Sequence, residues 1–175
     1  MAVILAVDPG LTRCGFALLD GDKVVDFGLF TSAAGQDPAE RVGSIAANLE
    51  GLVQKHKPAM IALERVFANS NLRSVMGVAQ ISGALMATAH KAGIAVEFFT
   101  PSEVKAAVTG NGRASKEQVG FMVAKQLGLD AVPKPADVAD ALAVALCAQR
   151  RSKTFSTPAR QKWVAASKRA RPTLG

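Results

Sequence analysis

The order of elements written into this chain predicts an α/β fold, a five-stranded mixed sheet flanked by helices. Three observations carry the prediction. Residues 3–30 hold three apolar runs separated only by turn signals, which reads as adjacent strands. Two further apolar runs, Met60–Leu63 and Ala95–Phe99, each follow a segment of helical character, the crossover that parallel strands require. Finally, carboxylates stand inside or at the ends of segments that are otherwise apolar, where burial costs several kcal/mol unless a partner is supplied.

The first strand is Val3-Ile4-Leu5-Ala6-Val7, interrupted by Asp8 and closed by the turn signal Pro9-Gly10. Cys14–Asp20 is the second, and Gly21-Asp22 forms a hairpin turn into the third, Lys23–Phe30. Thr31–Gln36 is a polar loop. Asp37-Pro38-Ala39-Glu40 then starts a helix, with Asp as N-cap, Pro at the first helical position and Glu at N3. That helix runs to about Lys55, buries Val42, Ile45, Leu49 and Leu52, and ends before Pro58. Met60–Leu63 is the fourth strand, with Glu64 at its end. Arg65–Leu72 is a polar loop around a lone aromatic, Phe67. The helix Asn71–Lys91 is weakly charged all round and carries small residues (Gly77, Ala79, Gly83, Ala84, Ala87), so it is expected to be buried on more than one side. After the fifth strand, Thr100-Pro101-Ser102-Glu103 caps a short helix reaching Val108, and the loop Thr109–Ala114 carries Arg113. Ser115-Lys116-Glu117-Gln118 is a capping box for the next helix, which buries Val119, Met122, Val123 and Leu127. The last helix spans Ala136–Arg150.

The charge divides sharply along the chain. Residues 1–150 hold 14 Lys and Arg against 14 Asp and Glu, whereas residues 151–175 hold seven bases and no acid. The expected organisation is one globular domain over 1–150 and a basic C-terminal tail over 151–175 without structure of its own, save a helical turn around Lys162–Lys168. Such a tail suits a phosphate polyanion. Cys14 and Cys147 are 133 positions apart with no CxxC pattern, which argues against a zinc site or a disulfide framework. The apolar N-terminal run is too short for a signal peptide, and Ser74–His90 is too polar for a membrane span. A soluble, cytoplasmic protein without membrane contact is expected. No Walker A loop or Rossmann fingerprint is present, and His56 and His90 have no nucleophile motif beside them.

The acids remain to be explained. Glu64 alone could be a solvated strand end, and Asp137 a dipole-favoured acid at a helix start. Asp140 lies within an otherwise apolar face, Val138–Leu146, and shares a helix side with Asp137 three residues earlier. If these carboxylates meet Asp8, their repulsion calls for cations. Hard oxygen donors without His or Cys select Mg²⁺ or Mn²⁺. A pair of such ions serves phosphodiester hydrolysis. Phe67, among basic residues, suits base stacking. Lys105, Arg113 and Lys116 fall near one another if their helices pack compactly.

Taken together, Asp8-Pro9-Gly10 with Thr12-Arg13-Cys14-Gly15, Glu64-Arg65-Val66-Phe67, Pro101-Ser102-Glu103-Val104-Lys105 and Asp137–Ala143 resemble the RuvC family of Holliday-junction resolvases over about residues 1–150. The resemblance implies a ribonuclease H-like fold and a homodimer that nicks two opposed strands of a four-way DNA junction. It implies that Asp8, Glu64, Asp137 and Asp140 are the catalytic acids and ligate two Mg²⁺ or Mn²⁺ ions. It further implies base engagement by Phe67, DNA contact by Lys105 and Lys116, a dimer interface on Asn71–Lys91, and association with the RuvA–RuvB branch-migration complex. Some family members carry His where this chain has Asp137, and the tail lies beyond the match. The alternatives are another nuclease of the same fold, such as the YqgF-type proteins of RNA processing, and a non-catalytic junction-binding protein.

Overall fold

A computed structural model describes residues 3–65 and 72–155. Phe67, the expected helix start at Asn71 and the tail from residue 156 lie outside the described residues. The elements follow in the order β1 (Val3–Asp8), β2 (Arg13–Asp20), β3 (Lys23–Thr31), α1 (Pro38–His56), β4 (Met60–Glu64), α2 (Leu72–Lys91), β5 (Ala95–Phe99), α3 (Pro101–Thr109), α4 (Lys116–Leu127) and α5 (Ala136–Phe155).

The strands form one mixed sheet in the order β3-β2-β1-β4-β5. The two-residue turn at Gly21-Asp22, with Gly21 at φ 60°, makes β2 and β3 antiparallel neighbours. β1 pairs antiparallel with β2 and parallel with β4, and β4 is parallel to β5. The expected five-stranded mixed sheet is therefore the observed one, with β1 at its centre.

Side-chain alternation divides the core into two layers. Leu5 and Val7 of β1, with Ile61 and Leu63 of β4, pack with Ile45, Leu49, Ile81 and Leu85 from α1 and α2. Ile4 and Ala6, with Ala62, face the opposite layer of α3, α4 and α5. α5 lies across β1 and β2. Its small buried residues Ala139, Ala141, Ala143, Ala145 and Ala148 let a helix approach the sheet closely.

The helix starts are those the sequence indicates. Asp37 accepts hydrogen bonds from the Ala39 and Glu40 amides, and Thr100 and Ser115 each complete a capping box. α5 departs from expectation by continuing past Arg150 to Phe155. The extension is held from outside the helix. Arg151 pairs with Glu97 at 3.7 Å and Glu103 at 4.0 Å, and its guanidinium lies 5.2 Å from the centre of the Phe99 ring. Five of the tail's seven bases lie after Phe155.

Candidate active site

Strand parity places two acids together. On β1, Ile4, Ala6 and Asp8 share the face covered by α5, and on β4, Met60, Ala62 and Glu64 share that same face. The parallel register pairs Val7 with Leu63, so Asp8 and Glu64 end neighbouring central strands at one level. The N-terminal turns of α5 bring Asp137 and Asp140 over this edge.

Gly15 makes that approach possible. It lies opposite Asp8 on β2, and a Cβ there would stand 2.1 Å from the Asp137 carbonyl oxygen. With no side chain at Gly15, the backbone of α5 can sit directly against the strand.

The electrostatics follow from this convergence. Burial, then the charges of Glu64, Asp140 and Asp137, push the Asp8 carboxyl up to about 7. Burial, then Asp140, likewise raises Glu64. The two helix acids are held by bases. Arg13 donates from Nε and Nη2 to Asp137 Oδ2, at 3.0 and 2.9 Å, and Lys116 Nζ donates to Asp140 Oδ2 at 3.1 Å. That hydrogen bond, followed by the Asp140 charge, raises the Lys116 pKa. Lys116 is 73% exposed, so its ion pair is screened and contributes little to stability.

Glu64, Asp140, Lys105 and Lys116 line one cavity of about 270 Å³ between β4, α3, α4 and α5. The structure thus gathers the four acids and two of the three candidate bases. Arg113 is exposed on the α3–α4 loop and is not among the residues lining that cavity. Asn111 Oδ1 accepts from its backbone amide and shapes the loop instead.

Four hard oxygen donors at the end of a sheet suit a divalent cation in chemistry. Among the described residues, however, no three His, Cys, Asp or Glu side chains stand close enough together to hold one ion. Arg13 and Lys116 draw Asp137 and Asp140 toward themselves.

The raised Asp8 pKa has a consequence for stability without metal. The folded value, about 7, lies above the ordinary carboxyl value of 3.8. The folded chain therefore holds its proton more tightly, and this stability is full below about 4 and lost as pH rises through about 7. In EDTA, urea unfolding of the wild-type chain is expected to lose on the order of a few kcal/mol relative to Asp8→Asn between pH 4 and 8. Parallel pH curves for the two proteins would contradict this.

An acid-ended pair of central strands crossed by an acid-bearing helix defines a nuclease of ribonuclease H-like fold. The family model for crossover junction endodeoxyribonuclease RuvC matches residues 4–148. The chain belongs to the RuvC family. It is 46% identical over 170 residues to the RuvC of a Nocardioides species, covering 91% of this chain and 96% of that one. It is 47% identical to the Frankia alni RuvC over 149 residues, covering 82% and 76% of the two chains. The solved Thermus thermophilus RuvC in complex with a Holliday junction substrate superposes with a TM-score of 0.82 at 30% identity, over 89% of this chain and 98% of that one. The yeast mitochondrial resolvase Ydc2 shares the fold, with a TM-score of 0.61 at 15% identity over 87% and 80%.

Arg13 and Gly15 have roles in the site that the sequence did not assign them. Arg13 reaches an acid 124 positions away, for which no local pattern exists. Gly15 lies within a run compatible with an ordinary strand, and its need to lack a side chain arises only when α5 packs on it.

Proposed function

We infer that the chain resolves four-way DNA junctions by paired phosphodiester hydrolysis, acting as a homodimer with two divalent cations in each active site. The observation that carries this reading is the convergence of Asp8, Glu64, Asp137 and Asp140 at one sheet edge, in a member of the RuvC family.

Asp8, Glu64, Asp137 and Asp140 would hold Mg²⁺ or Mn²⁺, which would supply activation of the attacking water and charge stabilisation at the leaving oxygen. Asp8 and Glu64 are the ligands fixed by the sheet, since both end strands whose register is set by backbone pairing. Asp137 and Asp140 complete the set from the helix. Lys105 and Lys116 put positive charge on the cavity wall, where a strand's phosphates would pass. A phosphate that takes up Lys116 would free Asp140 for the cation, so substrate and metal would favour one another's entry. Phe67, three positions after Glu64 in the sequence, is assigned to stacking on bases near the branch point.

The homodimer reading rests on α2. Ala79, Gly83, Met86 and Ala87 are exposed at helical spacing, with Met86 45% accessible. A second copy of the same helix would cover this uncharged stripe and relate two active sites by a two-fold axis, as symmetric nicking requires. No helix among the described residues is long and apolar enough to cross a membrane.

The reading is tested by incubating the chain and Mg²⁺ with a four-way junction, a linear duplex of the same sequence and an RNA duplex. Cleavage confined to the junction supports it; equal cleavage of RNA points to another nuclease of this fold. The tail is tested separately. Deleting residues 156–175 removes five bases and leaves α5 whole. Junction affinity is expected to fall, with a shallower dependence on salt measured by fluorescence anisotropy. An unchanged salt slope would show that the tail does not touch DNA.

A further inference from the structure

A second groove, of about 680 Å³, lies between the β1–β2 turn, the start of α1 and the first half of α2. Arg13 and Arg41 both line it, and none of its lining residues is acidic. Polar side chains of Thr12, Gln36, Ser74 and Gln80 complete its walls. At one end it meets the acid site through Arg13, whose guanidinium is bonded to Asp137.

Arg41 is held in place by neutral groups. Its Nε donates to Ser32 Oγ at 2.9 Å and its Nη2 to Thr12 Oγ1 at 2.8 Å. The Ser32 hydroxyl in turn donates to the Leu11 carbonyl, which leaves its lone pairs to Arg41. Among the described residues no carboxylate forms an ion pair with Arg41. A guanidinium has five N–H donors, so three remain to face the groove. A preorganised, uncompensated guanidinium in an acid-free groove is a phosphate site by its chemistry.

We propose that this groove carries the DNA strand on the far side of the scissile phosphate from Lys105 and Lys116, with Arg41 gripping a backbone phosphate of that strand. The proposal rests on the reading of the acid site as a junction nuclease. It adds that the strand is held on both sides of the acids, by two lysines in one cavity and by an arginine in the other. The amide and hydroxyl groups between the two arginines are neutral donors of the kind that position a sugar-phosphate backbone without reading sequence. An acidic protein segment is the competing occupant, and the test separates it.

The full-length chain carrying Asp8→Asn, to hold cleavage off, is titrated with a four-way junction over a range of salt concentrations. Adding Arg41→Gln is expected to weaken binding roughly tenfold and to reduce the magnitude of the salt slope by about 0.7–0.9, the loss of one phosphate contact. Gln36→Glu is the second variant. Its carboxylate can keep the bond that Gln36 Oε1 accepts from the Ala33 amide, and it places a negative charge in the groove. It should weaken binding as well, with unfolding temperature unchanged. A single neutral methylphosphonate near the cleavage point should weaken the Asp8→Asn protein but not its Arg41→Gln derivative. If affinity and slope are unchanged in both variants while Asp8→Asn alone binds junctions, the groove holds no DNA. If binding weakens with an unchanged slope and no methylphosphonate coupling, Arg41 merely braces the β1–β2 turn and the proposal falls. If Asp8→Asn alone binds no junction, the junction-nuclease reading itself fails.

Discussion

Replacing Asp8 with asparagine is expected to lower junction cleavage by at least about a thousandfold while leaving junction binding intact. Asp8 ends the central strand and is crowded by all three other acids, which makes it the carboxylate with most need of a cation. Each factor of ten in rate corresponds to about 1.36 kcal/mol of barrier, and a metal supplies several kcal/mol of charge stabilisation at a phosphoryl centre. Asparagine keeps the shape and one oxygen but loses the charge that fixes the ion. Lys105 and Lys116, the bases proposed to meet DNA, line the neighbouring cavity and are untouched by this substitution. Gel-shift and single-turnover cleavage assays on the same preparation separate the two effects. Retained cleavage would remove Asp8 from the metal set, whereas lost binding by a folded protein would give it a role in holding DNA.

Gly15→Ala is expected to have the second largest effect. The new methyl would lie 2.1 Å from the Asp137 carbonyl oxygen and 2.6 Å from its carbonyl carbon. Both atoms are backbone, so relief requires α5 to move rather than a side chain to rotate. Overpacking of this kind costs about 3 kcal/mol, which lowers Tm by roughly 6–12 °C in a domain of this size. Cleavage should fall by about a hundredfold even below that Tm, because a displacement of ~1 Å at Asp137 spoils the placement of the acids. Calorimetry and cleavage at a temperature where the variant stays folded check both parts. A variant with unchanged Tm and rate would show that α5 does not depend on this approach.

These two residues also show what the sequence could disclose. Asp8 was legible because a carboxylate inside an apolar strand conflicts with its surroundings. Asp140 was legible for the same reason on α5, and the five-stranded mixed sheet followed from the alternation of apolar runs, turns and helices, though not its strand order. Glu64 and Asp137 had ordinary explanations when taken singly, and gained meaning from the motif set they complete. Gly15 was not legible, since its constraint is a contact with a backbone atom 122 positions away. Arg13 and the groove around Arg41 were hidden for a like reason: their partners come from separate turns, strands and helices. The extension of α5 to Phe155 depends on Glu97, Glu103 and Phe99, which no helical pattern near Arg150 announces. Nearness in sequence to Lys116 suggested a shared site, but the turn between α3 and α4 leaves Arg113 outside the cavity.

The central claim is that the four converging acids make a metal-dependent, two-fold symmetric junction nuclease. The most direct test follows cleavage of a mobile synthetic four-way junction, labelled on each strand, in Mg²⁺, Mn²⁺, Ca²⁺ or EDTA. Paired nicks at symmetric positions in two opposed strands, with Mg²⁺ or Mn²⁺ and not with EDTA, are the predicted result. Cleavage undiminished in EDTA, or binding without cleavage in every metal, would contradict the account.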